Sequence, residues 1–176
     1  MSRSSGRDAE FEDFVRDASP RLLRTAWFIC GDPHQAEDLV QQALVKVYAR
    51  WGRLRTQNPV AYARRCLLNQ HIDDTRRHRE RVTDQLPERG VTDPEPEDTR
   101  GLTAVLATLP LRERQVVVLR HYVGLSEAEV ADTLGVSVGT VKSSASRGLA
   151  RLRESMATTR SEEHTSELQS HVNLVC

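Results

Sequence analysis

Apolar residues recur along this chain at spacings of three and four, the period of a helix with one buried side. The clearest run is Ala36, Leu39, Val40, Ala43, Leu44, Val47, Tyr48 and Trp51, which predicts one unbroken amphipathic helix. Before it, Phe11, Phe14 and Val15 open a short helix. Ser19 and Pro20 then read as a cap and a first-turn proline that restart a helix through Leu22, Leu23, Ala26, Trp27 and Ile29. Gly31, Asp32 and Pro33 stop that helix and start the next, with Asp32 as cap. Residues 1–9 hold Ser, Gly and charge and are expected to fray. After a basic loop over 52–57, Asn58 and Pro59 cap a further helix whose inward side is Val60, Ala63, Cys66 and Leu67.

Periodicity stops over 82–98, an acidic, proline-bearing stretch that reads as an irregular linker. It resumes at Leu102, Val105, Leu106 and Leu109, halts at Pro110, and continues through Val116, Val117, Leu119 and Tyr122. Two short helices follow. Ser126 caps the first and Glu129 completes a capping box. Val130, Ala131 and Leu134 form its apolar face, and Gly135 suits the left-handed turn that ends it. Ser137 caps the second helix, with Val141, Ala145, Leu149 and Leu152 as the buried stripe. A helix, a glycine turn and a second helix with a small, polar and basic outer face predict a helix-turn-helix.

Charge changes how these helices are read. The formal net charge is zero, yet residues 1–81 carry +4, residues 82–98 carry −5, residues 99–160 carry +4 and residues 161–176 carry −3. Two basic blocks flank an acidic strip, and only the blocks need meet phosphate. Low aromatic content, 5 %, points to small helical cores. Cys30, Cys66 and Cys176 form no CxxC pair and the His show no ligand spacing, so no metal, disulfide framework or cofactor is expected. No apolar run approaches the roughly 18 residues of a membrane helix, and no signal-peptide core opens the chain. A cytoplasmic protein without membrane insertion is therefore expected.

The second helix of the helix-turn-helix offers Thr140, Lys142, Ser143, Ser146, Arg147 and Arg151 to a major groove, where Arg and Lys read guanine and hydroxyls reach bases or phosphates. Arg147, opposite the Val141–Ala145–Leu149 stripe, is expected to reach DNA without supporting the core. The helix after Asn58 carries Tyr62, Arg64, Arg65, Asn69, His71, Arg76 and Arg77 on its remaining faces, with Arg53 and Arg55 in the loop before it. Arginines, amides and an aromatic suit a single strand, although a solvated basic helix end has the same composition. Asp73 and Asp74 are adjacent on a helix and point about 100° apart, so they do not form an acid pair for one ion. No nucleophile or carboxylate constellation signals an enzyme.

Several of these stretches resemble one family. GTVKS followed by SRGLARLR is similar to the promoter-reading helix of extracytoplasmic-function sigma factors of the sigma-70 family, and LPLRERQVVVLRHYVGLSEAEVADTLGVSVGT extends the likeness upstream. AEDLVQQALVKVYARW resembles the sigma helix that docks on core RNA polymerase, and NPVAYARRCLLN the segment that engages the −10 element. The likeness spans about 140 residues in the right order and looks closest to actinobacterial SigE-like members. It implies an all-α fold of two small helical domains, sigma region 2 at 10–81 and sigma region 4 with its helix-turn-helix at 101–156. An acidic flexible linker at 82–100 joins them.

The resemblance implies a role for each candidate residue. Asp38, Gln41 and Gln42 would contact polymerase. Arg53, Arg55, Tyr62, Arg64, Arg65, Asn69, Arg76 and Arg77 would serve the −10 element and the opened strand. Thr140, Lys142, Ser143, Ser146, Arg147 and Arg151 would read the −35 element. Partners would be core RNA polymerase and promoter DNA, and the family also admits an anti-sigma factor. The linker would thread through polymerase or act as a tether. Ser144 and Ala145 stand where many relatives carry Arg-Leu, which would remove a DNA contact and shrink a core contact. Residues 161–176 resemble translated sequencing-adaptor read-through and are expected to be a disordered, non-native tail. The rival readings are a free-standing helix-turn-helix regulator of duplex DNA, which leaves the first block unexplained, and a recombinase or nuclease, which lacks its catalytic groups.

Overall fold

The structure, a computed structural model, describes the backbone of residues 2–81 and 97–172 and the side chains of residues 6–78 and 101–157. The expected linker over 82–96 lies outside the described residues. Helices α1 (Ser2–Cys30), α2 (Pro33–Ala49), the single turn α3 (Trp51–Leu54) and α4 (Pro59–Arg81) form the first block. Helices α5 (Glu97–Ala107), α6 (Leu111–Val117), α7 (Glu127–Leu134) and α8 (Val138–Val172) form the second. No strand occurs among the described residues.

Local signals explain most of the boundaries. Asp32 accepts from the Gln35 amide at 2.8 Å and Asn58 from the Ala61 amide at 3.0 Å, so each supplies an acceptor for a helix-start N–H that has no intrahelical partner. Gly31 takes φ +79° at the turn between α1 and α2. In the second block the Ser126 hydroxyl accepts from the Glu129 amide at 3.2 Å and the Glu129 carboxylate accepts from the Ser126 amide at 2.8 Å, and Gly135 ends α7 at φ +63°. Ser126→Ala should cost about 1 kcal/mol, readable as a lower midpoint in thermal unfolding by circular dichroism. An unchanged midpoint would mean that packing alone holds α7.

Several expectations give way to packing. α1 runs through Pro20 without a break, because Phe11, Phe14, Ala18, Leu22, Ala26 and Ile29 keep one helical phase on both sides of it. Pro20 sits on the exposed side, where solvent can reach the carbonyl its missing N–H leaves unbonded. Residues 2–9 are helical rather than frayed. Arg7 donates to the Tyr48 carbonyl at 3.0 Å and the Tyr48 hydroxyl donates to Asp8 at 2.8 Å. Tyr48, placed by periodicity on the apolar stripe, is thus an exposed clamp on α1 whose ring packs on Phe11. Part of the expected loop at 52–57 is the helical turn α3, anchored by buried Trp51 and Leu54. α5 starts at Glu97, inside the acidic strip. α8 continues to Val172, so 161–172, expected to be disordered, extend the helix; no Pro or Gly interrupts them.

A π-helical turn over Val118–Tyr122 follows α6. The unbroken run Val116–Leu119 is buried throughout, more than one helical face can hold, and the widened turn redistributes these side chains.

The two blocks share one hydrophobic cluster. Phe28 of α1 meets Tyr122 edge-on at 4.9 Å. Arg114 of α6 donates to the Ile29 carbonyl at 2.9 Å and to those of Ala107 and Leu109 at 3.3 and 3.2 Å. Arg65 of α4 donates to the Asp132 carbonyl of α7 at 2.9 Å.

Candidate nucleic-acid interface

The cap and turn of α7 aim α8 outward. The Ser137 hydroxyl accepts from the Thr140 amide at 3.1 Å, and Val136 closes the turn by donating to the Ala131 carbonyl at 3.0 Å. Val141, Ser144 and Gly148 are the buried positions of α8, with Ala145, Leu149 and Leu152 half-buried. Thr140, Lys142, Ser143, Ser146, Arg147 and Arg151 all lie on its exposed half. The structure therefore brings the six expected −35 residues together.

Two corrections follow. Ser144 is 1 % exposed, so the exchange at this position alters helix packing and not the exposed side expected to meet DNA. A small residue is wanted here because α8 runs close to α6: a Cβ on Gly148 would stand 2.8 Å from a Val117 methyl. Arg147 also does more than face solvent. Its Nε donates to Glu113 Oε1 at 3.2 Å, and Arg151 Nε lies 3.1 Å from Oε2 as a charge contact. Glu113 is buried, which periodicity did not foretell; the only sequence signal was an acid in an otherwise basic α6. Lys142 lies 3.7 Å from the Glu127 carboxylate; the lysine is largely open to solvent and the glutamate half-buried.

In the first block, Tyr62, Arg65 and Asn69 of α4 line a shallow groove with Lys46, Ala49, Arg50 and Cys66. The Arg50 guanidinium lies 5.4 Å from the Tyr62 ring centre, a cation–π distance. Lys46 and Arg50, on the α2 side of the groove, were not singled out by sequence reasoning. Arg53 lies across a second concavity with Arg7 and Arg50, whereas Arg55 is held away by Glu10 at 2.9 Å. Arg76 and Arg77 are exposed towards the end of α4. Arg64 and Arg65 turn towards α7. Burial presses the Arg64 guanidinium below its usual pKa while the Glu129 charge opposes the shift. Hydrogen bonds from Ser126 hold the Glu129 carboxyl below its ordinary value. His71, expected on an outer face, is 5 % exposed, and desolvation with nearby Arg114 lowers its pKa to about 4. Asp38, Gln41 and Gln42 are exposed on α2, and Val45, 69 % exposed, extends that face. Its isolation from the apolar stripe was the available signal.

No cluster of three or more His, Cys, Asp or Glu suited to a metal occurs among the described residues, and no helix among them is long and apolar enough to cross a membrane.

Comparison with known proteins identifies both helical blocks. Residues 14–81 match Sigma-70 region 2 and residues 99–152 match Sigma-70, region 4. The chain is 41 % identical over 156 residues to the RNA polymerase sigma-E factor of Streptomyces avermitilis, covering 86 % of this chain and 87 % of that one. It is 34 % identical over 168 residues to the ECF RNA polymerase sigma factor SigE of Mycolicibacterium smegmatis, covering 89 % and 63 % of the two chains. Among solved structures, it superposes on the sigma factor RpoE of Bartonella quintana, crystallised with the anti-sigma factor NepR. The TM-score is 0.72 at 26 % identity, over 82 % of this chain and 94 % of that one. With both of its helical blocks matched in order, the chain belongs to the sigma-70 family, among the extracytoplasmic-function RNA polymerase sigma factors.

Proposed function

We propose that this chain directs core RNA polymerase to promoters and starts transcription there by recognising two DNA elements with two surfaces. The observation that carries the reading is the pairing, on one chain, of the exposed α8 face with the basic groove around Tyr62. A free-standing duplex-binding regulator needs only the first. Thr140, Lys142, Ser143, Ser146, Arg147 and Arg151 read the −35 element, some through base edges and some through phosphates that set the register. Tyr62, with Lys46, Arg50, Arg65 and Asn69 around it, offers a ring and cations to an unpaired −10 strand. Arg53, Arg64, Arg76 and Arg77 add charge along the same path, and Arg55 joins them once released from Glu10. Arg64 and Arg65 face α7 in this arrangement, so their use requires the blocks to part. Asp38, Gln41, Gln42 and the exposed Val45 form the polymerase-facing side of α2. An anti-sigma factor is a further partner, by analogy with the NepR-bound relative. The protein acts as a cytoplasmic initiation factor and is not itself a catalyst.

The test is transcription in vitro with sigma-free core polymerase on a promoter library. Promoter-specific transcripts should require the chain. A triple Asp38→Ala, Gln41→Ala, Gln42→Ala variant should lose core binding while keeping its helical circular dichroism. Tyr62→Ala should lower permanganate-reactive open complex and be rescued in large part on a pre-melted −10 bubble. Tight, specific binding to duplex DNA by the chain alone, with no transcription from core polymerase, would favour the free-standing regulator instead.

A further inference from the structure

The Glu113 carboxylate does not face DNA, yet it touches two of the six residues that do. It is buried, with its side chain 8 % exposed, whereas Arg147 and Arg151 are 58 % and 55 % exposed. Each arginine meets it through Nε: Arg147 in a hydrogen bond at 3.2 Å to Oε1, Arg151 in a charge contact at 3.1 Å to Oε2. Engagement at Nε leaves the terminal Nη edge of a guanidinium directed beyond the carboxylate, and that edge is suited to pairing with guanine O6 and N7.

Gly148 makes the arrangement possible. It lies between the two arginines in sequence, and a Cβ there would stand 2.8 Å from Val117 Cγ2 and 3.4 Å from Glu113 Cβ. α8 therefore rests directly on α6, which puts Glu113 within reach of residues 147 and 151 together. A free arginine side chain gives up rotamer entropy when it meets a base, and one already tethered gives up less.

We infer that Glu113 is a positioning residue for promoter reading: it holds Arg147 and Arg151 in the orientation that discriminates bases and tempers their indiscriminate attraction to phosphate. The inference rests on the reading of Arg147 and Arg151 as −35 contacts. It assigns sequence discrimination, rather than affinity alone, to a buried group on a different helix.

The experiment uses reconstituted holoenzyme and a duplex library randomised across the −35 positions, sequenced after binding. Dissociation constants are then measured for the most enriched duplex and for a scrambled one. Glu113→Gln keeps the side-chain shape and removes the charge. It should reduce the enriched-to-scrambled affinity ratio about fivefold, a change comparable to one mismatched base pair, while binding to the scrambled duplex holds or rises. Added to an Arg147→Ala, Arg151→Ala background, it should not lower the ratio further. If Glu113→Gln does not fold, Glu113→Asp carries the same test, since it keeps the charge but withdraws it by one methylene and should lower the ratio less. An unchanged ratio, or an equal loss on both duplexes, would overturn the inference if Arg147→Ala still lowers the ratio. If neither arginine variant changes the ratio, the reading of α8 fails first, and the inference falls with it.

Discussion

Arg114→Ala should destabilise the folded chain by at least about 4 kcal/mol, because charged donors to carbonyls contribute roughly 1.5–3 kcal/mol each and this half-buried side chain serves three. Ile29 and Ala107 lie at the C-terminal ends of α1 and α5, where carbonyls lack intrahelical partners. One guanidinium satisfies both of them and Leu109 as well, at 2.9 to 3.3 Å. Lysine should not rescue the loss, since a single ammonium lacks the planar fork that spans separated acceptors. The bond to Ile29 also joins the two blocks, so the variant should unfold less cooperatively as well. Trp27 and Trp51, the two tryptophans of the chain, both lie in the first block. Their fluorescence follows that block alone, whereas circular dichroism follows all helices. Urea titrations by the two probes should coincide in the parent and separate in the variant. A loss below about 1 kcal/mol with coincident curves would show that apolar packing, not Arg114, couples the blocks.

Acid should weaken the fold through His71. Unfolded, the imidazole takes up its proton near its ordinary pKa of 6.5; folded, it stays neutral until about pH 4. Burial is the main cause, the Arg114 charge adds to it, and Asp74 on the same helix opposes it. Nδ1 has no hydrogen-bond partner among the described residues to compensate a charge. Between these two values the unfolded chain binds more protons than the folded one, so stability rises with pH. It is fully present above about pH 6.5 and lost progressively down to about pH 4, by about 3 kcal/mol in all. Urea midpoints across this window should fall in the parent and flatten in His71→Leu. The Glu129 shift acts in a lower window, below the ordinary carboxyl value of 4.5. Imidazole resonances followed by NMR read the pKa directly, and Arg114→Ala should move it upward. A His71 titrating near 6.5 would remove the basis for this acid sensitivity.

The residues the sequence marked most reliably act within one helical turn of themselves. Asp32, Asn58, Ser126 and Ser137 cap helices, and Gly135 takes the left-handed turn. Each is governed by backbone groups three or four positions away, which a sequence displays in full. The family resemblance and the exposed set on α8 were legible for a related reason, since a helix-turn-helix is specified by short-range caps, a turn and one periodic stripe.

Other features depended on what lies opposite in space. Pro20 reads as a helix start, yet the apolar stripe on either side of it packs against α2 and keeps α1 whole. His71 and Ser144 look outward by composition but are buried where α4 and α8 meet other helices. Val116–Leu119 reads as ordinary helix, while burial all round leads into a π turn. Glu113 and Arg147 stand 34 positions apart, and no local period links them. Propensity and capping determined where the helices begin and how α8 is presented. Tertiary packing decided which polar side chains are buried, because a side chain's cost in the interior is set by the partners it finds there.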